Sequence, residues 1–232
     1  MIYAIGDIHG QYSKLHALMV RIEPKLTDKD RLLFIGDYVD RGPSSCQVIE
    51  YLIRLKEKRP NTIFLRGNHD QAMLDARDID DPQRETDLTP EDVLWWWNCG
   101  ARETLASYPD IKPWRTAVPE SHWKFLESTE MEYEEGNYLF VHAGVVPPGV
   151  KWNEFGDPRL WIRDAFIKSD ADFGKIVVFG HTPQDLFFPI VLENKVGIDT
   201  GAAYGGPLTA FVVSPKAKYE PKHAYFIYSA DR

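Results

Sequence analysis

The sequence predicts an α/β fold, a four-layer α/β/β/α sandwich of two mixed sheets flanked by helices. Three observations carry this prediction. Residues 2–70 alternate short apolar runs, polar loops and amphipathic stretches, the grammar of parallel strands joined by helices. Residues 138–144 and 175–182 resume that grammar, each an apolar run that meets a histidine. In the tail, the apolar runs at 190–192, 196–198, 208–213 and 223–228 lie close together, with turns such as Glu193-Asn194, so hairpins and antiparallel pairing are expected.

Taken in order, the run Ile2 to Ile5 ends in Gly6-Asp7-Ile8-His9-Gly10. Alternate residues of extended backbone share a side, so Asp7 and His9 project into one space. A carboxylate beside an imidazole is a metal-ligand pair. Alone, the motif reads equally well as a helix cap and a loop histidine. Leu15, Leu18, Met19 and Ile22 then form the apolar face of a helix that stops before Pro24, with His16 read as structural or exposed. Arg31 to Asp37 repeats apolar run, glycine, aspartate. The loop Tyr38-Val39-Asp40-Arg41-Gly42-Pro43 leads to a second helix through Val48, Ile49, Leu52 and Leu55, and Thr62 to Asp70 opens a third round. Ligands gather at the carboxyl ends of such parallel strands, where these acids and histidines stand.

Residues 71–136 read as a helical insertion capping the sheet within a single domain spanning 1–232. Residues 78–82 look like an exposed polar turn, and Thr89-Pro90-Glu91-Asp92 has the hydroxyl cap, first-turn proline and acids of a helix start. Trp95-Trp96-Trp97 cannot all face one core on a helix, so at least one is expected between elements or along a surface groove. Residues 119–126 read as another helix, and Asp157-Pro158 as a capped helix start carrying Arg159 and Arg163.

The chain has 232 residues, 44% hydrophobic and 27% charged, an ordinary globular balance with enough length for a sizeable core. A net charge of −8 argues against duplex nucleic acid as the main partner. No apolar run is long enough to cross a membrane, none has the form of a signal peptide, and Cys46 and Cys99 are too few for a disulfide framework. A monomeric cytoplasmic protein is the simplest expectation.

Five strand ends carry Asp7 with His9, Asp37, Asn68 with His69, His142, and His181, most of them beside glycine. Carboxylate, imidazole and amide oxygen without thiolate suit Mn²⁺ first, with Fe or Zn²⁺ as the other candidates. The donors exceed one tetrahedral shell, so two ions about 3.5–4 Å apart sharing Asp37 is the natural count.

Gly6 to Gly10, Gly36-Asp37-Tyr38-Val39-Asp40-Arg41-Gly42 and Arg66-Gly67-Asn68-His69-Asp70 resemble the three signature motifs of the phosphoprotein phosphatase family, calcineurin-like metallophosphoesterases that include serine/threonine phosphatases. Val141 to Gly144 and Gly180-His181-Thr182 resemble its later metal-binding loops. The compact length and Leu160-Trp161-Ile162-Arg163 resemble the bacterial and phage branch, and the match runs from residue 5 to about 205. Asp70 departs from the family, which usually has glutamate there.

The resemblance implies a metallophosphoesterase fold and roles by position. Asp7, His9 and Asp37 would hold one ion; Asp37, Asn68, His142 and His181 would hold the other. His69, oriented by Asp40, would protonate the departing oxygen while hydroxide held between the ions attacks phosphorus directly. Arg41 and Arg66 would fork onto phosphoryl oxygens, Arg163 would add a contact, and Tyr204 would stand near the site or simply pack. The substrate would be a phosphorylated protein or a small phosphoester. The nearest rival is a dinucleoside polyphosphate (diadenosine tetraphosphate) hydrolase, whose branch typically lacks the aspartate of Val39-Asp40-Arg41. A catalytically silent binding scaffold would be expected to have lost one of these residues, and none is missing.

Overall fold

The computed structural model describes residues 1–79, 89–109, 114–153, 156–216 and 218–230. Strand β1 (Ile2–Ile5) leads into helix α1 (Tyr12–Ile22), β2 (Arg31–Phe34) into α2 (Ser45–Lys58), and β3 (Ile63–Phe64) into α3 (Asn68–Ile79). Helices α4 (Pro90–Asn98), α5 (Ala101–Ala106), α6 (Trp114–Ala117) and α7 (Glu120–Glu127) follow. Then come β4 (Glu132–Glu135), β5 (Tyr138–Val141), the one-turn helices α8 (Pro158–Trp161) and α9 (Asp164–Ile167), and β6 (Ile176–Phe179). The chain closes with β7 (Ile190–Val191), β8 (Lys195–Gly197), β9 (Thr209–Val213) and β10 (Tyr225–Tyr228).

Two five-stranded mixed sheets result, ordered β10-β9-β1-β2-β3 and β4-β5-β6-β8-β7. The strands that begin βα units pair in parallel, Ile2 opposite Arg31 and Leu33 opposite Ile63. The tail supplies the antiparallel neighbours: β9 pairs with β1, Ile2 opposite Val213, and β10 pairs with β9. The hairpin expected around Glu193-Asn194 is present as β7–β8, and β8 also runs parallel to β6.

Alternation along β1 explains the layering. Ile2 and Ala4 face Tyr138, Phe140, Val178 and Val196 of the other sheet, while Tyr3 and Ile5 face Leu15, Leu18, Val48 and Leu52 on the outer helices. A strand buried on both faces reads as a continuous apolar run, which Ile2-Tyr3-Ala4-Ile5 does. The outer face of the second sheet carries a thinner cover, with Ile162 and Phe166 packed on Val177 and Phe179.

Two boundaries differ from expectation. The stretch 71–136 is not helical to its end, because Glu132–Glu135 forms the edge strand β4 against β5. Its Glu-Tyr-Glu-Glu sequence hides a strand behind charge, and charge on an edge discourages pairing with another chain. Asp78 and Ile79 end α3 half-buried and are not an exposed turn; residues 80–82 lie outside the described residues. The helix starts at Pro90 and Pro158 stand as expected, Asp157 capping the latter by accepting the Arg159 N–H at 2.9 Å. His16 is exposed, and Cys46 and Cys99 are half-buried free thiols. No helix among the described residues is long and apolar enough to cross a membrane.

Candidate active site

The strand-end residues converge at one edge of the facing sheets. Asp7 and His9 follow β1, Asp37 follows β2, Asn68 opens α3, His142 follows β5 and His181 follows β6, and all six are buried. The loops that present them are cross-linked through backbone. Ile8 and His9 N–H both donate to the Asp37 carbonyl, at 3.1 and 2.8 Å, and Gly180 N–H donates to the His142 carbonyl at 2.8 Å. Among the described residues, His9, Asp37, Asp40, Arg41 and His181 are five of the seven non-glycine residues with positive φ. Such backbone costs on the order of 1–3 kcal/mol per residue and persists where surroundings over-determine it.

Ring orientation follows from second partners. His9 Nδ1–H donates to the Val39 carbonyl at 2.9 Å and His142 Nδ1–H to the Ile35 carbonyl at 2.8 Å, so in each neutral ring Nε2 is a bare lone pair. His9 Nε2 lies 3.2 Å from Asp37 Oδ2, and His142 Nε2 lies 3.0 Å from Asn68 Oδ1 and 3.5 Å from Asp37 Oδ1. Lone pairs facing lone pairs at these distances are the arrangement a cation resolves. Asp37 stands between the two imidazoles.

Other atoms fit the same need. Asp7 Oδ1 and His181 Nε2 are buried and make no hydrogen bond, while Asp7 Oδ2 accepts the His181 backbone N–H at 2.9 Å. Burial, then the charges of Asp199 and Asp37, hold the Asp7 carboxyl well above its ordinary range. A Cβ at Gly180 would collide with Asp7 Oδ1, and one at Gly67 with Asp37 Oδ1. Glycine at these two places lets the carboxylates reach the cluster. The atoms of His9, Asp37 and His69, and those of Asp37, His142 and His181, each lie within 4.8 Å of one another. The donor set suits hard or borderline divalent ions.

His69 belongs to the cluster but is committed differently. Its Nδ1–H donates to Asp40 Oδ2 at 2.7 Å, both side chains being buried, and its Nε2 accepts from Arg41 Nη2 at 2.9 Å. Burial pushes the Asp40 carboxyl up to about 8 and the His69 imidazole well below its ordinary value. Arg41 donates from Nη1 to His9 Nε2 at 2.6 Å, so its two-pronged guanidinium spans the cluster mouth, with Tyr204 5.4 Å beyond. Trp95 packs 4.8 Å from His69 and 4.8 Å from Trp161, which in turn lies 6.3 Å from His181. Arg163 is exposed, its Nη1 3.4 Å from the Thr182 hydroxyl that follows His181.

The sequence matches agree with this geometry. Residues 1–210 match the profile of the calcineurin-like phosphoesterase family. The chain belongs to that family. Its members bind two divalent metal ions. The phosphoesterase is 29% identical over 228 residues to serine/threonine-protein phosphatase 1 of Salmonella typhimurium, covering 90% of this chain and 89% of that one. It is 26% identical over 231 residues to the asymmetrical bis(5′-nucleosyl)-tetraphosphatase PrpE of Geobacillus sp., covering 89% and 88%. Among solved structures, a cold-active protein tyrosine phosphatase superposes with a TM-score of 0.58 at 17% identity, over 90% of this chain and 72% of that one. A metallophosphoesterase from Sphaerobacter thermophilus superposes with a TM-score of 0.51 at 18% identity, over 100% and 88%. The last two are likenesses of fold.

One expected contact is corrected. Arg66 does not reach the cluster of the phosphoesterase. Its Nε donates to Thr129 Oγ1 at 2.9 Å, Nη1 to Gln71 Oε1 at 2.9 Å, and Nη2 to the Leu126 and Glu127 carbonyls at 3.1 and 2.9 Å. Past the end of α7 the Glu127 carbonyl lacks a helical donor, and the guanidinium supplies one while adding to the Thr129 bonds on Leu126. Asp70 also has a larger task than its place beside a motif implied, since it accepts three backbone N–H bonds beneath the cluster.

Asp199 and Thr104 carry no expectation in the sequence, and Trp96 stands there only as one of three crowded tryptophans. Asp199 is buried next to Asp7 and follows β8, so the rule that found the other strand ends applies to it too. Trp96 and Thr104 both donate to Asp40 Oδ1, at 3.2 and 2.7 Å, and nothing local points either of them at Asp40.

Proposed function

We propose that this phosphoesterase is a metal-dependent phosphomonoesterase acting on phosphoserine and phosphothreonine in proteins, with His69 and Asp40 as its general acid pair. The 2.7 Å bond from His69 Nδ1 to Asp40 Oδ2 carries the reading. A serine alkoxide is a poor leaving group and needs a proton in the transition state, whereas the phosphate released from an anhydride needs far less help. Asp7, His9 and Asp37 would hold one divalent ion, and Asp37, Asn68, His142 and His181 a second, manganese being the first candidate. Bound there, such ions supply positive charge at the phosphoryl oxygens and lower the pKa of water.

The chain's own groups do the rest. A phosphoryl group entering the cluster takes over the two Arg41 donors now spent on His9 and His69, an exchange a planar guanidinium suits. That frees His69 Nε2 to carry a proton. Burial disfavours the imidazolium, and the dianionic ester restores it by Coulombic attraction. Asp40 fixes the tautomer, so the proton leaves from Nε2 toward the departing oxygen. Arg163, beside Thr182, is a further candidate for phosphate contact.

A second reading, dinucleoside polyphosphate hydrolysis, is favoured by the tetraphosphatases among the relatives and by Trp95 and Trp161, whose rings flank the cluster and could stack a base. Parallel turnover on a phosphoserine peptide, a phosphotyrosine peptide and diadenosine tetraphosphate tests the choice. The phosphoserine peptide is expected to be the best substrate, with His69→Asn lowering its turnover about 10²–10⁴-fold at unchanged metal content. Preference for the dinucleotide, unaffected by His69→Asn, selects the second reading. Loss of metal from His69→Asn would move His69 into the ligand shell.

A further inference from the structure

We propose that Thr104 is a positioning residue for the general acid. By bridging the backbone N–H and the carboxylate of Asp40, it holds His69 in the orientation from which Nε2 delivers its proton. The proposal rests on the phosphomonoesterase reading.

The Thr104 hydroxyl accepts the Asp40 N–H at 2.7 Å and donates to Asp40 Oδ1 at 2.7 Å. A hydroxyl has one hydrogen, so Ser45 Oγ, 3.0 Å away, must be the donor in its contact with Thr104. The same carboxylate oxygen takes a second hydrogen bond from Trp96 Nε1 at 3.2 Å. With Oδ1 doubly held, Oδ2 is left for His69 Nδ1. Asp40 also has φ 73°, a left-handed conformation that a side chain disfavours, and the Thr104 bridge clamps that backbone from outside its loop. Thr104 and Trp96 are fully buried. The corner between α4 and α5 is pressed on the motif, for a Cβ at Gly100 would meet the Arg41 backbone nitrogen. The insertion therefore reaches back to set the acid pair.

A hydroxyl that only tied α5 to the loop would, when removed, lower stability without regard to substrate. A hydroxyl that aims the acid would matter in proportion to the basicity of the leaving group. Thr104→Val and Thr104→Ser are compared with wild type on a phosphoserine peptide and on p-nitrophenyl phosphate, whose phenolate leaves with little protonation. Thr104→Val is expected to lower kcat on the phosphoserine peptide about 10–100-fold. On the aryl ester the loss stays within about threefold, with KM and metal content unchanged, and Thr104→Ser restores the peptide rate. Should Thr104→Val not fold, Trp96→Phe removes the other Oδ1 donor and is expected to give the same substrate-dependent loss. A second readout needs no turnover: in metal-free protein, the ¹⁵N shifts of His69 should report Nδ1–H in wild type and Thr104→Ser, and a mixed tautomer in Thr104→Val. Equal losses on both substrates, or an unchanged tautomer, overturn the proposal. His69→Asn separates the two levels. If that variant discriminates between the esters and Thr104→Val does not, the Thr104 role alone fails; if His69→Asn does not discriminate, the general-acid reading fails first.

Discussion

Asp70 fixes the height of Asp37: its Oδ2 accepts the Asp37 backbone N–H at 2.8 Å, although Asp70 lies in α3 and Asp37 in the loop after β2. The same oxygen takes the Gly67 N–H at 2.9 Å, and Oδ1 takes that of Tyr38 at 2.9 Å. The acid in the first turn of α3 thus ties together the second and third loops below Asp37, which belongs to both groups of side chains able to hold a metal ion. Asp70→Ala strands three buried donors, and each unsatisfied group costs roughly 1–3 kcal/mol, partly offset by relieving repulsion with Asp37. A net loss of about 3–5 kcal/mol, seen as a melting temperature lower by roughly 10 °C, is expected together with reduced metal content. A melting temperature within about 2 °C of wild type would remove this role.

Chelation should destabilise the fold as well as stop turnover. Asp7, Asp37 and Asp199 are buried together; burial holds Asp7 and Asp199 above their ordinary range, reinforced at Asp7 by the charges of Asp199 and Asp37 and opposed at Asp199 by the Gly201 N–H. A ligand at about 100 times its Kd adds roughly 2.7 kcal/mol to the folded state. Scanning calorimetry with excess chelator and then with Mn²⁺ checks this; coincident melting curves would contradict a metal site here.

Arg66 and Arg41 should part company. Arg66→Met removes the donor to the Glu127 carbonyl and the links to Gln71 and Thr129, and is expected to cost about 2–4 kcal/mol in urea unfolding while KM for a phosphoester stays within twofold. Arg41→Met should raise KM at least tenfold with a smaller effect on stability. The reverse pattern would return Arg66 to the substrate.

A pH effect on stability should come from the insertion. His122 is buried on α7, its Nδ1 2.9 Å from the Tyr108 hydroxyl and its Nε2 3.5 Å from a Glu50 oxygen. Burial lowers its pKa, and Glu50 offsets only part of that. Between the folded value and about 6.5 the unfolded chain binds a proton that the folded chain does not, so stability falls as pH drops through that window and is unaffected above it. The stability difference between wild type and His122→Gln, from urea melts at pH 5 to 8, should shrink below about pH 6.5. A pH-independent difference would show that His122 keeps an ordinary pKa.

What could be read in advance follows from how far each signal travels along the chain. Asp7, Asp37 and His181 sit beside glycine at the ends of apolar runs, so a local pattern exposes them. Asp199 follows the same rule but was hidden because Val196-Gly197-Ile198 read as hairpin. Adjacency to a motif says nothing about which side of the loop the Arg66 guanidinium takes, and it lies against the carbonyls at the end of α7. The three tryptophans were legible only as a conflict. Successive helix residues point about 100° apart, so the three diverge, Trp96 to Asp40, Trp95 to His69 and Trp97 to Trp114. Which ring takes which post depends on elements far away in sequence.

The pairing of β1 with β9 has a consequence for synthesis in the cell. Ile2 lies opposite Val213, so β1 leaves the ribosome about 200 residues before the strand that covers its edge. During that interval its free edge and the Asp7–His9 loop have no closed sheet to hold them. Long-range pairing of this kind is slow and exposes sticky edges. A chain truncated before residue 209 leaves the β1 edge unpaired and is expected to retain divalent ions less well than the whole chain, which metal analysis of the two would check.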